Sequence, residues 1–332
     1  MMRSIRSPAV VRVWRHWRGS QSSVELSVNF RNIATLLLLG MIWGSSFLFQ
    51  RITVPEVGVA TTAVGRIVLA AVVLLGVLAA TGKRLNLRAR WRDYLLVGLI
   101  GSGFPFLLFA FAAHSLPAGY SAVLNATVPL FTVLIGWSAG SRPSTSKLAG
   151  VVVGILGVVT LVRFGVVELN WMTLAAFAGT LLASVCYAFN ARTVKARFAD
   201  VDPMVVAAGS QVGAGIPLLP WVAVAPPTHA PSIVGLWSLI ALGVLCTGVA
   251  YALFYRLIRD AGSERAVTVT FIVPVFAQVW GALFLGEAIT WASSIGCALV
   301  LFAVALIFER VPGFGRTVAP VPVLAKPCRE PS

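Results

Sequence analysis

The chain has 332 residues, of which 58% are hydrophobic and 11% charged, and it carries a formal net charge of +15. Its mean hydropathy is +0.90. Because about a quarter of the residues of a soluble domain are charged, this composition excludes a soluble globular protein and predicts an integral membrane protein. Lipid offers no partner to a backbone amide, so long apolar runs of this kind cross a membrane as helices.

Ten apolar runs follow one another along the chain, each close to the roughly 20 residues with which a helix crosses a hydrocarbon layer of about 30 Å. We expect ten transmembrane helices, at 33–50, 59–81, 92–113, 117–138, 147–163, 171–190, 203–224, 233–256, 265–285 and 288–309. A basic tail, 1–32, precedes them, and a second tail, 310–332, follows. The connections are short, so the sequence predicts an all-α membrane protein with no separate soluble domain.

The positions of the basic residues predict the orientation of the chain. Of the 26 Lys and Arg residues, 23 fall in the two tails and the even-numbered connections, whereas Arg51 and Arg163 fall on the opposite side. Basic residues stay on the cytoplasmic side of membrane proteins. We therefore expect a multi-pass protein of the plasma (inner) membrane with both termini in the cytoplasm. The basic excess then reflects topology, and no nucleic-acid partner is expected.

A shift of 145 residues aligns the two halves of the chain. It places Pro129 on Pro274 and Arg66 opposite Gln211, and it brings Trp43 within one residue of Tyr187. The sequence therefore predicts two copies of a five-helix unit, at 33–163 and 171–309. Because five is an odd number, the second copy enters the membrane from the opposite side. Inverted repeats of this kind place a substrate site near the midplane between the halves.

The fourth and ninth helices each carry a proline within a stripe of small and polar residues. Spacings of three and four put the members of each stripe on one helix face: Ser121, Asn125, Pro129, Thr132 and Gly136 in the fourth helix, and Thr270, Pro274, Gln278 and Gly281 in the ninth. Proline removes a backbone hydrogen bond, a loss that membrane helices tolerate beside a hydrated cavity. We expect both stripes on the central cavity and helix bends at Pro129 and Pro274. A kink that only eases helix packing is the alternative.

Arg66 is the only basic residue well inside a predicted span. A charge at such a depth is costly and usually faces a cavity or a partner. Its guanidinium could attract the carboxylate or phosphate of a solute. Alternatively, the side chain could extend toward the membrane surface, or pair with Glu56 or a helix carbonyl.

Neutral side chains at similar depth complete the expected solute site. Trp43 lies about 15 Å along the first helix, at the midplane rather than in an interfacial belt, and would form a wall of the pocket or simply pack there. Asn125, Gln211 and Gln278 can hydrogen-bond a solute or a neighbouring helix, and Tyr187 corresponds to Trp43 in the second half. The expected substrate-binding residues are Trp43, Arg66, Asn125, Tyr187, Gln211 and Gln278.

The sequence contains no sign of catalysis, and neither a cofactor nor a metal site is expected. It has no HExxH, P-loop or GxSxG motif and no cluster of His, Cys and Asp residues. No Asp or Glu falls clearly inside a predicted span. Because proton-coupled transporters often carry a buried carboxylate, coupling to protons remains open at this point.

Small residues form faces on the fifth and tenth predicted helices. Gly150 and Gly154 lie in the fifth helix, and Ser293, Gly296 and Ala303 lie in the tenth. Such faces permit close approach of helices, either within one chain, which we favour, or between the two copies of a homodimer.

Several segments resemble the EamA-like family of the drug/metabolite transporter superfamily. They are WGSSF at 43–47, GRIVLAA at 65–71 and YALFYRLIRDAGSERAVTVTFIVPVFAQVWGALFLGEAIT at 251–290. The third is the most specific, since it combines a helix, a basic turn, a proline-containing helix and the tripeptide LGE. The resemblance extends over 33–309. In place of LGE the first half reads GWSAGSRPSTSKLAG, so its turn is expected to differ.

Membership of that family implies ten helices in two inverted halves and export or exchange of small metabolites, amino acids or drugs, without an ATP site. We therefore predict a secondary transporter that works by alternating access, with a small-molecule solute and the lipid bilayer as partners. Two other classes are kept as alternatives: a membrane-embedded enzyme that acts on a lipid, and a scaffold or sensor that carries no solute.

Overall fold

The computed structural model describes residues 30–227 and 229–310, and this part of the chain is helical, without a strand. Seven of its helices are long and apolar enough to cross a membrane, and two shorter apolar helices follow them. In chain order they are α1 (Phe30–Ala80), α2 (Leu87–Ala112), α3 (Ala118–Ser138), α4 (Thr145–Phe164), α5 (Trp171–Arg197), α6 (Pro203–Val224), α7 (Ile233–Ala261), α8 (Val269–Leu285) and α9 (Trp291–Ile307). A four-residue helix, Ser263–Ala266, precedes α8. The predicted tails lie outside the described residues up to position 29 and beyond position 310.

Helix α1 is a hairpin of two arms, 30–57 and 59–80, that meet at Gly58. A straight helix of 51 residues would be about 76 Å long, more than twice the hydrocarbon layer. Gly58 has φ 79° and ψ 170°, a region that glycine enters readily because it has no Cβ. The adjacent residues Cys246 and Thr247 of α7 contact one arm each, at Ser45 and Arg66, so the arms lie side by side.

The hairpin corrects one expectation about the first connection. The sequence predicted a loop at 51–58 that would hold Arg51 and Glu56. In the structure helix runs on to Val57 and resumes after Gly58, because one residue with positive φ is enough to reverse the chain. Arg51 and Glu56 are therefore helical residues.

Helices α2 and α7 share an irregularity at equivalent positions. Leu99–Gly103 of α2 and Ala241–Val249 of α7 both have π-helical hydrogen bonding. A shift of 145 residues maps 99–103 onto 244–248, which lies inside the second segment. Single π turns are rare and occur mostly at functional sites.

The helix pairs that pack together come mainly from opposite halves of the chain. Helix α1 packs against α6, α7 and α8, α2 packs against α5 and α6, α3 against α5 and α8, and α4 against α9. Glycines permit these approaches: a Cβ on Gly98 would overlap the carbonyl oxygen of Ser210, and one on Gly157 would lie 3.0 Å from the carbonyl oxygen of Gly296. The small-residue faces of α4 and α9 thus contact each other within one chain.

The apolar core joins both halves as well. One cluster combines Leu39 and Phe47 of α1 with Leu242 of α7 and Val273 of α8. Another combines Leu124 of α3 with Phe177 of α5 and Val300 of α9. Because each cluster takes side chains from both halves, the halves form one packed body.

Candidate substrate cavity

A cavity of about 690 Å³ lies among α1, α2, α3, α5, α7 and α8. It reaches Lys147 at the start of α4 and Phe308 just after α9. Lys147 has 40% of its side chain exposed and Phe308 is 39% exposed, so these two residues mark an opening at one end of the bundle. A volume of this size suits a single small organic molecule.

Aromatic side chains form most of the inner wall. They come from four helices and include Trp43, Phe47, Phe106, Phe109, Tyr187, Tyr251 and Phe254. Their rings also contact one another, with centroids 5.1 Å apart for Trp43 and Phe254 and 5.7 Å apart for Phe47 and Phe109. Such contacts fix the ring orientations, and they leave planar apolar faces toward the cavity.

Arg66 is the charged group deepest in this wall, and it is 8% exposed. Its Nε–H donates to Oγ1 of Thr247 over 2.8 Å, and its Cζ lies 3.8 Å from the centroid of the Phe106 ring. Thr247 Oγ1 donates in turn to the carbonyl of Leu242, inside the π-helical segment of α7. Two helices thus hold the guanidinium against the cavity.

No carboxylate of the described residues forms an ion pair with Arg66. Glu56, the partner considered from the sequence, accepts instead from the backbone N–H of Ser232 over 2.8 Å. Nor does Arg66 reach toward the membrane surface, since it is buried. Its two terminal amino groups make no hydrogen bond to the described residues, so the guanidinium has capacity left for an anion.

Gln211 makes the corresponding contact from the other half of the chain. Its Nε2 donates to Ser102 Oγ over 2.8 Å, and the shift of 145 residues maps Arg66 onto Gln211 and Ser102 onto Thr247. Gln211 is fully buried, and its Oε1 has no hydrogen-bond partner among the described residues. Unlike Arg66, Gln211 does not belong to the cavity wall.

The other expected site residues divide in the same way. Trp43, Asn125 and Tyr187 line the cavity together with Arg66. The Oδ1 atom of Asn125 is buried and has no hydrogen-bond partner within the described chain. Gln278 lies outside the wall and packs against α3, where it is the nearest neighbour of a Cβ built on Gly119.

Both prolines line the cavity, but their helices differ. Helix α3 is interrupted by a turn at Ala126 and Thr127, and Pro129 lies in the first turn after it. Helix α8 runs without interruption from Val269 to Leu285, with Pro274 in its interior. The interruption of the polypeptide before α8 comes earlier, at Val267 and Thr268.

The end of the bundle opposite the opening is held together by Glu287, in the turn after α8. Its carboxylate accepts from the backbone N–H of Ala118, at 2.9 and 3.2 Å, and pairs with Arg51 Nε at 3.3 Å. Arg51 also donates to the carbonyl of Ala113 over 2.5 Å. One acid thereby links the first arm of α1, the start of α3 and the end of α8.

None of these linked groups lines the cavity. Pro274, which does, precedes the end of α8 by 11 residues, or about 16 Å along the helix axis. Burial raises the pKa of the Glu287 carboxyl above its ordinary value, although the Ala118 N–H and Arg51 oppose the shift. The cavity is thus open at one end and separated from the other by packed helix and this ion pair.

Sequence reasoning overlooked several residues that shape the site. Phe106 supports the Arg66 guanidinium, and Thr247 and Ser102 accept the two equivalent hydrogen bonds. A signal existed, because the shift of 145 residues that aligns the prolines also aligns Ser102 with Thr247, two hydroxyl residues inside apolar helices. The contacts of Glu287 with Ala118 and Arg51 had no comparable local signal.

Comparison with known proteins identifies the relatives of this chain. The model of the EamA-like transporter family matches twice, over residues 31–163 and 173–309. An uncharacterized inner membrane transporter of Escherichia coli, YedA, is 26% identical over 280 residues, which covers 82% of this chain and 89% of that protein. A probable terminal-alkyne amino-acid exporter of Streptantibioticus cattleyicolor is 27% identical over 287 residues, covering 84% and 93%.

A solved crystal structure has the same fold. It superposes with a TM-score of 0.59 at 20% sequence identity and covers 83% of this chain and 96% of its own. At this level of identity the similarity concerns the fold alone.

Proposed function

The chain belongs to the EamA-like transporter family, and on that basis we propose that it exports small metabolites, amino acids or drugs by alternating access. It is a multi-pass membrane transporter for a small-molecule solute. Its named relatives are transporters or exporters, and the described part of the chain has no cluster of His, Cys, Asp and Glu that could hold a metal ion.

The proposed architecture is ten crossings in two inverted five-helix repeats, 33–163 and 171–309. Counting each arm of α1 as one crossing gives ten with α2 to α9. The paired packing supports a two-fold relation between repeats: α1 against α8 corresponds to α5 against α3, and α2 against α6 corresponds to α7 against α1. The equivalent π-helical segments of α2 and α7 support it too.

The observation that carries the proposal is the pair of equivalent hydrogen bonds beside the cavity. Arg66 of the first half donates to Thr247 of the second, and Gln211 of the second half donates to Ser102 of the first. Halves that exchange equivalent contacts have two nearly equivalent ways of packing, and rocking between them exposes a central site to each side in turn.

The described conformation corresponds to one of those two states. If basic connections mark the cytoplasmic side, Lys147 and Phe308 place the opening there. Arg51 and Glu287 would then close the outer side, and solute would enter the cavity from the cytoplasm. Trp43, Arg66, Asn125 and Tyr187 would contact it, while Pro129 and Pro274 would permit the bending of α3 and α8.

Reconstitution tests this function directly. The purified full chain is incorporated into liposomes, and release of a preloaded panel of labelled metabolites, amino acids and drugs is followed against liposomes without protein. We expect saturable release of at least one solute, reduced by Arg66→Ala. A protein that moves none of them, and whose cavity shows no solvent-accessible labelling of a cysteine introduced at Thr132, would instead be a scaffold or sensor.

A further inference from the structure

We propose that the cavity selects an organic anion with an aromatic body and a hydrogen-bond donor, and that it discriminates against cations and zwitterions. The inference rests on the proposed transport function, because it names the class of solute that the same site would carry. Four features of the cavity support it: an uncompensated cation, the absence of acids, the aromatic wall and an unpaired acceptor.

The cation is Arg66. It is buried, its Nε is occupied by Thr247, and one face of its guanidinium is covered by Phe106. These contacts orient the group but do not neutralise it, since hydroxyl oxygen and ring carry no full charge. A carboxylate that enters the cavity can accept two parallel hydrogen bonds from the terminal amino groups, which is the geometry that a guanidinium favours.

The wall offers nothing comparable to an ammonium group. None of the described residues that line the cavity is Asp or Glu. The second cation of the wall, Lys147, stands at the opening, with its Nζ 3.8 Å from Glu309, an acid outside the wall. A cationic solute would have to pass one positive group and approach another. An ammonium could stack on a ring, but the face of Phe106 nearest to Arg66 is already occupied.

The body of the solute is indicated by the rings. Trp43, Phe109 and Tyr187 present apolar surface, and the rings of Phe109 and Tyr187 are stacked with centroids 6.2 Å apart. A planar aromatic group matches such surfaces, because offset and edge contacts between rings add to the burial of apolar area. A sugar phosphate would satisfy Arg66 but leave its hydroxyl groups against this wall.

The last feature is the amide of Asn125. Its Oδ1 is buried without a partner among the described residues, which is costly unless a ligand supplies a donor. A hydroxyl or N–H on the aromatic body would satisfy it. The complete site therefore matches a molecule with a carboxylate at one end and a phenol or similar donor at the other.

Four probes of nearly the same shape separate these requirements. They are 4-hydroxyphenylacetate, its neutral amide 4-hydroxyphenylacetamide, the cation tyramine and the zwitterion tyrosine. Binding to the purified full chain in detergent is measured by titration calorimetry. We expect the anion to bind about tenfold or more tightly than the amide, and tyramine and tyrosine to bind more weakly than the amide.

The variant Arg66→Gln isolates the charge. Glutamine is the residue that makes the equivalent hydrogen bond at position 211, so the variant can keep the bond to Thr247. We expect it to bind the anion and the amide equally. Arg163→Gln, which removes an exposed charge of α4 far along the chain from the wall, is the matched control and should bind as the wild type does. Asn125→Leu should remove the preference for 4-hydroxyphenylacetate over phenylacetate.

The possible results decide the inference separately from transport. Tyramine or tyrosine binding as tightly as the anion, or no binding of the anion by the wild-type chain, overturns the inference even if liposomes release another solute. Binding of the anion without release of any solute leaves the inference standing and contradicts transport. The probe series on the wild type requires no variant, so a misfolded Arg66→Gln cannot obscure the answer.

Discussion

The two equivalent hydrogen bonds, Arg66 to Thr247 and Gln211 to Ser102, show how one scaffold serves two purposes. Both join a helix of one half to a π-helical segment of the other, and both measure 2.8 Å. They differ in charge and in exposure to the cavity, since Arg66 lines it and Gln211 does not. Duplication therefore accounts for the packing of the halves, whereas a departure from it at one position gives the cavity its charge.

The largest effect is expected where the two contacts differ most. Arg66→Ala should lower solute release by about tenfold to a hundredfold, the range that the loss of a hydrogen bond to a charged group produces. Gln211→Ala should leave release within a few-fold of the wild type and act on stability instead. Parallel flux and thermal unfolding of the two variants measure the difference. Equal losses of flux would mean that the charge has no special role.

The packing around the two contacts should respond unequally to an added methyl group. A Cβ on Gly213 of α6 would overlap the carbonyl oxygen of Tyr94, whereas one on Gly65 of α1 would meet only the end of the Leu239 side chain, at 3.1 Å. Backbone cannot yield as a leucine can, so Gly213→Ala should destabilise the chain by about 1 to 3 kcal/mol. Gly65→Ala should cost less, as comparison of their denaturant midpoints will show.

The hydroxyl acceptors give a finer comparison. Thr247→Val removes the partner of a charged group, and Ser102→Ala removes the partner of a neutral amide that already has an unsatisfied oxygen. Bonds to charged groups are worth about 1.5 to 3 kcal/mol and neutral ones about 1. We therefore expect the greater loss of stability for Thr247→Val. A larger loss for Ser102→Ala would show that Arg66 finds another acceptor.

The smallest effect concerns Glu287, an acid with no counterpart in the first half, where position 142 is Arg. Its carboxyl has a raised pKa and so binds a proton more tightly in the folded chain than in the unfolded one. That contribution to stability grows as the pH falls through the raised pKa and is lost as the pH rises through it.

Compared with Glu287→Gln, the wild-type chain should therefore gain stability between about pH 8 and about pH 5, by less than about 1 kcal/mol. Parallel melting curves of the two proteins over this range measure the gain. His114→Gln, a change in the neighbouring turn, serves as the control. Identical pH profiles for the wild type and Glu287→Gln would contradict the assignment.

Local patterns in the sequence were sufficient to predict the helices and part of the cavity wall. Apolar runs predicted α4 and α5 nearly to their ends, and the family suggested by the segment 251–290 is confirmed by the family match. The hairpin of α1 was missed because a helix that continues to a single reversing glycine has the same composition as two helices with a loop. Contacts such as Glu287 with Ala118 depend on how the halves dock, which no local pattern encodes.

The reversal at Gly58 has a mechanical consequence. A loop of several residues would absorb a tilt of one arm, but a junction of one residue has no slack. Arg66 lies eight residues beyond that junction, or about 12 Å along the second arm. Any swing of the first arm, to which Arg51 belongs, is therefore passed along a rigid lever to the guanidinium, so that the outer ion pair and the binding site must move in step.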